Sequence, residues 1–350
     1  MKEFKAIGIM SGSSLDGIDI AYCRFYFIKE WKFEIISATT HYYNEEWKLI
    51  LTNATSIGSE ELIKLDVDYG KYIGEVVLNF INDKNIEPNI ISSHGHTVFH
   101  APDKGYTLQL GNGQAIANKT GVRTIFDFRT EDILNGGQGA PLVPIGDQLL
   151  FNSYDYCLNI GGIANISFTK DDKRVGFDVC PANQLLNFLS QQLGKPYDED
   201  GNFAQLGKIN PLLFDQLNNH PYYHMGYPKS ISNQLVQSSF IPMLHDCKAS
   251  IEDKLYTVCK HIAFQTNKFI VDKESKILIT GGGAHNSFLK RSLQLETNAK
   301  VITPNALIID FKEAIIFAFM GVLKQLEIIN CLSSVTGARK DSITGIIANP

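Results

Sequence analysis

The chain has 350 residues, 44% hydrophobic and 20% charged, with a formal net charge of −5 at pH 7. Lysine and arginine do not gather into blocks, so no nucleic-acid partner is expected, and no run of about 18 apolar residues exists to span a membrane. The six cysteines are scattered with no CxxC, as suits reduced thiols of a cytosolic protein rather than a disulfide or zinc framework.

The opening residues, Met1 to Lys5, lead directly into a strand pattern without the segments of a signal peptide, so a cytoplasmic location is expected. The length predicts two domains. Strand patterns cover 4–28 and 33–43. The first is interrupted by "SGSSLDG", a hydroxyl-rich glycine turn that reads as a hairpin (residues 11–17). It is not a Walker loop, because no Gly-Lys-Ser/Thr follows. Helical periodicity appears at 60–83 after the "SIGSE" cap signal. "NIISSHGHTVFH" reads as strand then turn, "GNGQAIANKTG" as a short helix ending at Gly121, and "VRTIFDF" as a strand. The Gly/Pro-rich 135–144 is the expected lobe boundary, giving lobe I over 1–140, with 330–350 as its candidate completion, and lobe II over 141–329.

"CLNIGGIANISF" (157–168) repeats the strand, glycine turn, strand pattern at Gly161-Gly162. One such unit in each half suggests a duplicated lobe, with the turns facing each other over a cleft. A helix follows Pro181-Ala182-Asn183, with Pro181 suited to its first turn. "DKLYTVCKHIAFQTNKFIV" reads as an amphipathic helix of about five turns. "KILITGGGAHN" (276–286) is a buried strand ending in Gly281, Gly282 and Gly283, where a flat or charged ligand can come close. "FKEAIIFAFMGVLKQLEI" reads as a largely buried helix. Alternating strands and helices give an α/β class.

Each glycine turn alone fits an ordinary structural turn as well as a ligand site. Their order, hairpin, hairpin, then strand–GGG–helix, resembles the actin/hexokinase/Hsp70-type ATPase superfamily. That resemblance implies a two-lobed, ribonuclease H-like fold with two phosphate hairpins and a third glycine turn beside adenosine.

Four places could carry chemistry. Asp178, between apolar Phe177 and Val179, reads either as a helix-capping carboxylate or as a general base with a raised pKa. Arg129 is either a fork donor to an anionic ligand or a salt-bridge partner of Asp127 or Asp132. The "SSHGHTVFH" stretch suits a polar ligand held through Ser93, His94 and Thr97 better than a metal. Glu313 is a ligand contact or a solvated first-turn acid. "YDEDGNFAQLG" (197–207) lacks the alternating ligands of a calcium loop.

Together "GIMSGSSLDGID", "SHGHTVFH", "DFRTEDILNGGQGAPLVP", "LNIGGIANIS", "FDVCPANQLLN", "DEDGNFAQLG", "YPKSISNQL", "TGGGAHN", "FKEAIIFAF" and "SSVTGA" occur in order over nearly the whole chain. They resemble the motifs of the anhydro-N-acetylmuramic acid kinase family. The resemblance implies an enzyme of peptidoglycan recycling that uses ATP, Mg²⁺ and water to open 1,6-anhydro-N-acetylmuramic acid and phosphorylate O6. It implies that Gly12, Ser13, Ser14, Leu15, Asp16, Gly17, Ile18 and Asp19 bind the ATP phosphates, together with Gly161 and Gly162. By the same match Gly281–Gly283 lie by adenosine, Asp178 is the catalytic base, and Arg129, Thr97 and Glu313 line the sugar site. Asp16 and Asp19 are the candidate Mg²⁺ residues, acting through waters, and a homodimer is implied. Three positions depart from the family pattern: Val179-Cys180 replaces Thr-Gly, His96 replaces Gln, and Ser13 replaces Thr. They leave open two alternatives, a kinase of another amino sugar and a non-catalytic nucleotide- or muropeptide-binding relative.

Overall fold

The computed structural model describes residues 3–12, 15–272 and 274–350. Ser13 and Ser14 of the first expected phosphate turn therefore lie outside the described residues. In chain order the strands are β1 (Glu3–Ser11), β2 (Gly17–Phe27), β3 (Trp31–Tyr42), β4 (Ile90–Ala101), β5 (Tyr106–Leu110), β6 (Thr124–Phe126), β7 (Tyr156–Ile160), β8 (Ile163–Lys170), β9 (Lys173–Pro181), β10 (Lys276–Thr280), β11 (Lys300–Ile302) and β12 (Ile346–Ala348). The longer helices are α1 (Glu45–Asn53), α2 (Ser59–Lys84), α3 (Gly113–Thr120), α4 (Asn183–Gln191), α5 (Pro211–Asn218), α6 (Ile251–Asn267), α7 (Ser287–Glu296) and α8 (Ala306–Gln325).

The chain divides into unit 1, Met1–Leu150 with Phe311–Pro350, and unit 2, Phe151–Asp310. Residues 135–144 fall inside unit 1, where Gln138 N–H donates to the Thr336 carbonyl at 2.8 Å. Residues 311–329 also fall in unit 1, so α8 starts in one unit and continues in the other.

Each unit carries a sheet with the same internal order. In unit 1 the run β3-β2-β1-β4-β6 begins with antiparallel pairs and continues with parallel ones, with β12 and β5 added at β6 and β4. In unit 2 the run β9-β8-β7-β10-β11 repeats that order and those directions. This is the duplication suggested by the two glycine turns, and it gives each unit a hairpin whose bend joins its first two strands.

The local reasons are visible in the chain. Helix α2 starts at Gly58, whose N–H donates to Glu61 at 3.2 Å, has Glu60 and Glu61 in its first turn, and stops at left-handed Asn85 (φ 47°). Helix α6 is capped by Ser250 and buries Leu255, Val258, Cys259, Ile262 and Ala263, a helical spacing that faces the unit 2 core. Helix α8 is buried on nearly every side from Ala314 to Leu323. Gly8 lets it lie close against β1, because a Cβ there would stand 1.8 Å from the Ala314 carbonyl oxygen.

Two elements differ from the sequence reading. The stretch expected to turn after "ISSHG" continues as strand to Ala101, because β5 pairs antiparallel with its second half. Pro181 ends β9 rather than opening the helix, which begins at Asn183.

Candidate active site

The unit 2 hairpin is seated by backbone. The Gly161 carbonyl accepts from Asn183 N–H at 3.1 Å, and the Gly162 carbonyl accepts from Ala182 and Gln184 N–H at 2.9 and 3.1 Å. The first amides of α4 thus hold the turn. Among the described residues, the N–H groups of Gly161 and Gly162 meet no protein acceptor, and Gly162 is exposed. Such unengaged amides on a glycine bend are what an anionic ligand needs.

The three glycines after β10 have different tasks. Gly281 takes a left-handed conformation (φ 78°), and a Cβ on it would stand 2.9 Å from the Ile160 carbonyl group. A Cβ on Gly283 would meet the Ile160 side chain at 2.3 Å. Gly282 has no such neighbour and faces a cavity of about 500 Å³ that Asn183, Asn187, Tyr197, Gly283 and His285 help to line. Among the described residues no lysine or arginine lines this cavity, so it suits a neutral nucleoside portion better than phosphates. Asp198 and Asp200, which border it, are occupied with backbone. Asp198 accepts from Phe203 and Ala204 N–H, and Asp200 accepts from Ser287 N–H. His285 Nε2 lies 2.6 Å from Asp310 Oδ1. Sequence reasoning found the glycines and missed Asn183, Asn187, Tyr197 and His285. All four lie inside quoted motifs, "FDVCPANQLLN", "YDEDGNFAQLG" and "TGGGAHN", without a local pattern that marks them as cavity lining.

Asp178 sits on β9 at a bulge. Asn165 pairs with Asp178 and Ala164 with Cys180, so Val179 is the extra residue. Bulges re-aim side chains, and here Val179 and Cys180 turn fully into the core. The helix cap is Ala182, which removes the capping alternative for Asp178. Asp178 Oδ2 accepts the Ile231 N–H at 2.8 Å, its own N–H donates to the Lys229 carbonyl at 3.2 Å, and its carbonyl accepts from Tyr222 Oη at 2.6 Å. Burial pushes its carboxyl up to about 6, against the opposing pull of the Ile231 N–H. Among the described residues no cation forms an ion pair with it.

The unit 1 hairpin pairs Ser11 with Ile18, and among the described residues Gly12, Leu15 and Asp16 lie in its bend. Leu15 is left-handed (φ 58°) and its N–H reaches the Gly12 carbonyl at 3.4 Å, while the Asp16 carbonyl accepts from Tyr43 N–H. Beneath the bend lies a buried polar cluster. Ser11 Oγ is 2.7 Å from Tyr43 Oη, 3.0 Å from Tyr69 Oη and 3.2 Å from His96 Nδ1, and the two tyrosine hydroxyls are 2.5 Å apart. Burial lowers His96 to about 4, so it is neutral at physiological pH. The His96 departure is therefore absorbed in packing beneath the hairpin. Asp16 is exposed, and Asp19 is half-buried with Oδ1 accepting from Thr40 at 2.6 Å. Two carboxylates near one bend suit a hard cation held partly through water.

Of the other predicted residues of unit 1, His94 and Glu313 lie by Arg129. Its Nε–H donates to His94 Nε2 at 2.9 Å and Nη1 donates to the Gly139 carbonyl at 2.6 Å. No ion pair to Asp127 or Asp132 forms: Asp127 caps Thr130 N–H, and Asp132 accepts from Thr336, Cys331 and Gly139 N–H. Burial lowers Arg129 to about 10, with the Glu313 charge acting to raise it. Glu313 lies in the second turn of α8, and burial raises its carboxyl despite nearby Lys312 and Arg129. Lys312 is itself paired with Asp147 at 2.7 Å. Thr97 accepts from Gln109 at 3.4 Å and is part-exposed. Ser93 and His94 are buried, at 0% and 4% exposure.

A family model described as anhydro-N-acetylmuramic acid kinase matches residues 4–350. The anhydro-N-acetylmuramic acid kinase of Aliivibrio fischeri is 35% identical over 370 aligned residues, covering 98% of each chain. That of Shewanella putrefaciens is 35% identical over 368, covering 99% of this chain and 98% of its own. Among solved structures, the ROK hexokinase of Thermus thermophilus covers 91% of this chain and 99% of its own, at 10% identity and a TM-score of 0.43. The full-length match, on a chain whose units carry both glycine hairpins, the glycine-lined cavity and the buried aspartate, means that this protein belongs to the anhydro-N-acetylmuramic acid kinase family.

Proposed function

We propose that Asp178 is the general base of the family's reaction in this chain. The protein is an ATP-dependent kinase of peptidoglycan recycling that opens 1,6-anhydro-N-acetylmuramic acid and phosphorylates O6, giving N-acetylmuramic acid 6-phosphate. Asp178 accepts a proton from water as that water attacks the anomeric carbon. The C1–O6 bond breaks, and O6 takes the γ-phosphoryl group while ADP leaves. The departing oxygen is captured by phosphorus instead of by a protonated acid, so one carboxylate serves where inverting glycosidases use two.

The observation that carries this reading is the placement of Asp178: its carboxyl leaves β9 at the Val179 bulge, accepts the Ile231 N–H and has no cationic partner among the described residues, and burial raises it to about 6. A base of that strength is ionised at neutral pH yet retains appetite for a proton. The N–H groups of Gly161 and Gly162 bind phosphate oxygens, the family match gives Gly12–Asp19 the same task, and the cavity at Gly282 takes the nucleoside. Asp16 and Asp19 would hold Mg²⁺, which would supply charge neutralisation at the phosphates. Thr97, Arg129 and Glu313 contact the sugar.

The test is turnover in oxygen-18 water with product analysis. Label on C1 of the product and none in the phosphate is expected. Label absent from C1 would mean that Asp178 deprotonates a sugar hydroxyl, and the proposal would fail. The pH dependence is a second check. Asp178 must be ionised to act, so kcat/KM for the sugar should fall as pH drops through about 6. A profile flat to pH 5 would contradict it.

A further inference from the structure

His94 is a buried histidine that the reaction above does not use, and its protonation pattern is fixed by its neighbours. Nδ1 lies 2.8 Å from the Gly95 carbonyl, which can only accept, so Nδ1 carries the proton. Nε2 lies 2.9 Å from Arg129 Nε, which can only donate, so Nε2 is bare. Burial and the Arg129 charge hold the ring well below the usual histidine range, in keeping with this neutral form. The ring also packs on Phe317, with centroids 4.8 Å apart. Both nitrogens are thus engaged, and neither remains for a ligand.

Arg129 has five N–H donors in a planar fork. Two are engaged, one by His94 and one by the Gly139 carbonyl. These fix the plane of the guanidinium and leave three donors. Asp132 is engaged elsewhere, accepting from Thr336, Cys331 and Gly139.

We infer that His94 is a positioning residue for Arg129: it accepts the Nε–H and so aims the three remaining donors at oxygen atoms of the sugar. This rests on Arg129 contacting the sugar, and it replaces a direct ligand contact by His94 with an indirect one. A guanidinium without that acceptor can rotate about its last bonds, and the substrate must then order it on binding.

Two substitutions separate the acceptor from the ring. His94→Gln places an amide oxygen near the position of Nε2. His94→Asn keeps a donor near Nδ1 and has no acceptor at Nε2. Kinetics with both substrates are measured for each, alone and in an Arg129→Met background. His94→Asn should raise the sugar KM by about tenfold, the scale of one charge-assisted hydrogen bond, and leave the ATP KM within about twofold. His94→Gln should recover most of the loss, and His94→Asn should add nothing once Arg129 is Met. Equal losses in His94→Gln and His94→Asn, persisting in the Arg129→Met background, would assign the ring to packing and overturn the inference while Arg129 keeps its role. An unchanged sugar KM in Arg129→Met alone would overturn the Arg129 contact, and the positioning role with it.

Discussion

The two glycine hairpins occupy the same place in sheets of the same order, yet they are seated by different physics. The unit 2 bend rests on main chain: α4 amides hold its carbonyls, and the Gly281 turn lies against the Ile160 backbone. The unit 1 bend adds side chains to a main-chain bond from Tyr43 N–H to the Asp16 carbonyl, with Ser11 at its base held by Tyr43, Tyr69 and His96. A bend fixed by backbone tolerates side-chain changes but not an added Cβ. A bend fixed by hydroxyl groups can lose one bond at a time. Two of the three departures from the family pattern fall in these surroundings. His96 joins the cluster below one hairpin, and Val179-Cys180 fill the core beside the other, so neither change removes a group placed here in the chemistry.

The largest effect should come from Gly281→Ala. It adds a Cβ to a residue with positive φ (78°) and drives it to 2.7 Å from Asn159 Oδ1 and 2.9 Å from the Ile160 carbonyl group. A loss of about 4 kcal/mol is expected in urea unfolding, together with weaker nucleotide binding. A loss below about 1 kcal/mol would mean that this turn is not held by close backbone contact.

The next effect comes from the aspartate on β9 and has the opposite sign. The fold raises the Asp178 carboxyl from 3.8 to about 6, so it favours the protonated form. That preference supports the fold fully below the unfolded value and is lost as pH rises through about 6. Asp178→Asn keeps an acceptor for the Ile231 N–H without the charge. It should be more stable than the parent by about 3 kcal/mol at pH 8, with the gain vanishing as pH falls from 6 to 4. A pH-independent difference would show that the buried charge is not its source.

The smallest effect should follow Tyr69→Phe, which removes one hydroxyl from the unit 1 cluster while Tyr43 still holds Ser11. About 1 kcal/mol is expected, with a rise of a few-fold in the ATP KM. A loss as large as that of Gly281→Ala would erase the contrast between the two hairpins.

Much of the fold could be read from the sequence, because hairpins, caps and apolar helices are local. The "SIGSE" signal placed α2 within a residue at each end, and the glycine pairs marked both bends. What holds those bends was not legible. Tyr43, Tyr69 and His96 stand 32 to 85 residues or so from Ser11 and carry no local pattern. The burial of Asp178 followed from its apolar neighbours, but the bulge at Val179 and the Ile231 N–H, 53 residues away, did not. Likewise Arg129 was read as a fork donor to an anionic ligand or a salt-bridge partner of Asp127 or Asp132, and neither reading named its histidine partner. The sequence pattern shows which side chains carry chemistry, not which of them touch.

The most direct measurement is ADP release by Asp178→Asn with the anhydro sugar and ATP, alongside nucleotide affinity by calorimetry. Turnover should fall by about a thousandfold or more, in the range of a lost general base, with ATP binding changed no more than a few-fold. A variant that binds ATP normally and keeps more than a few per cent of the parent rate would show that the proton goes elsewhere.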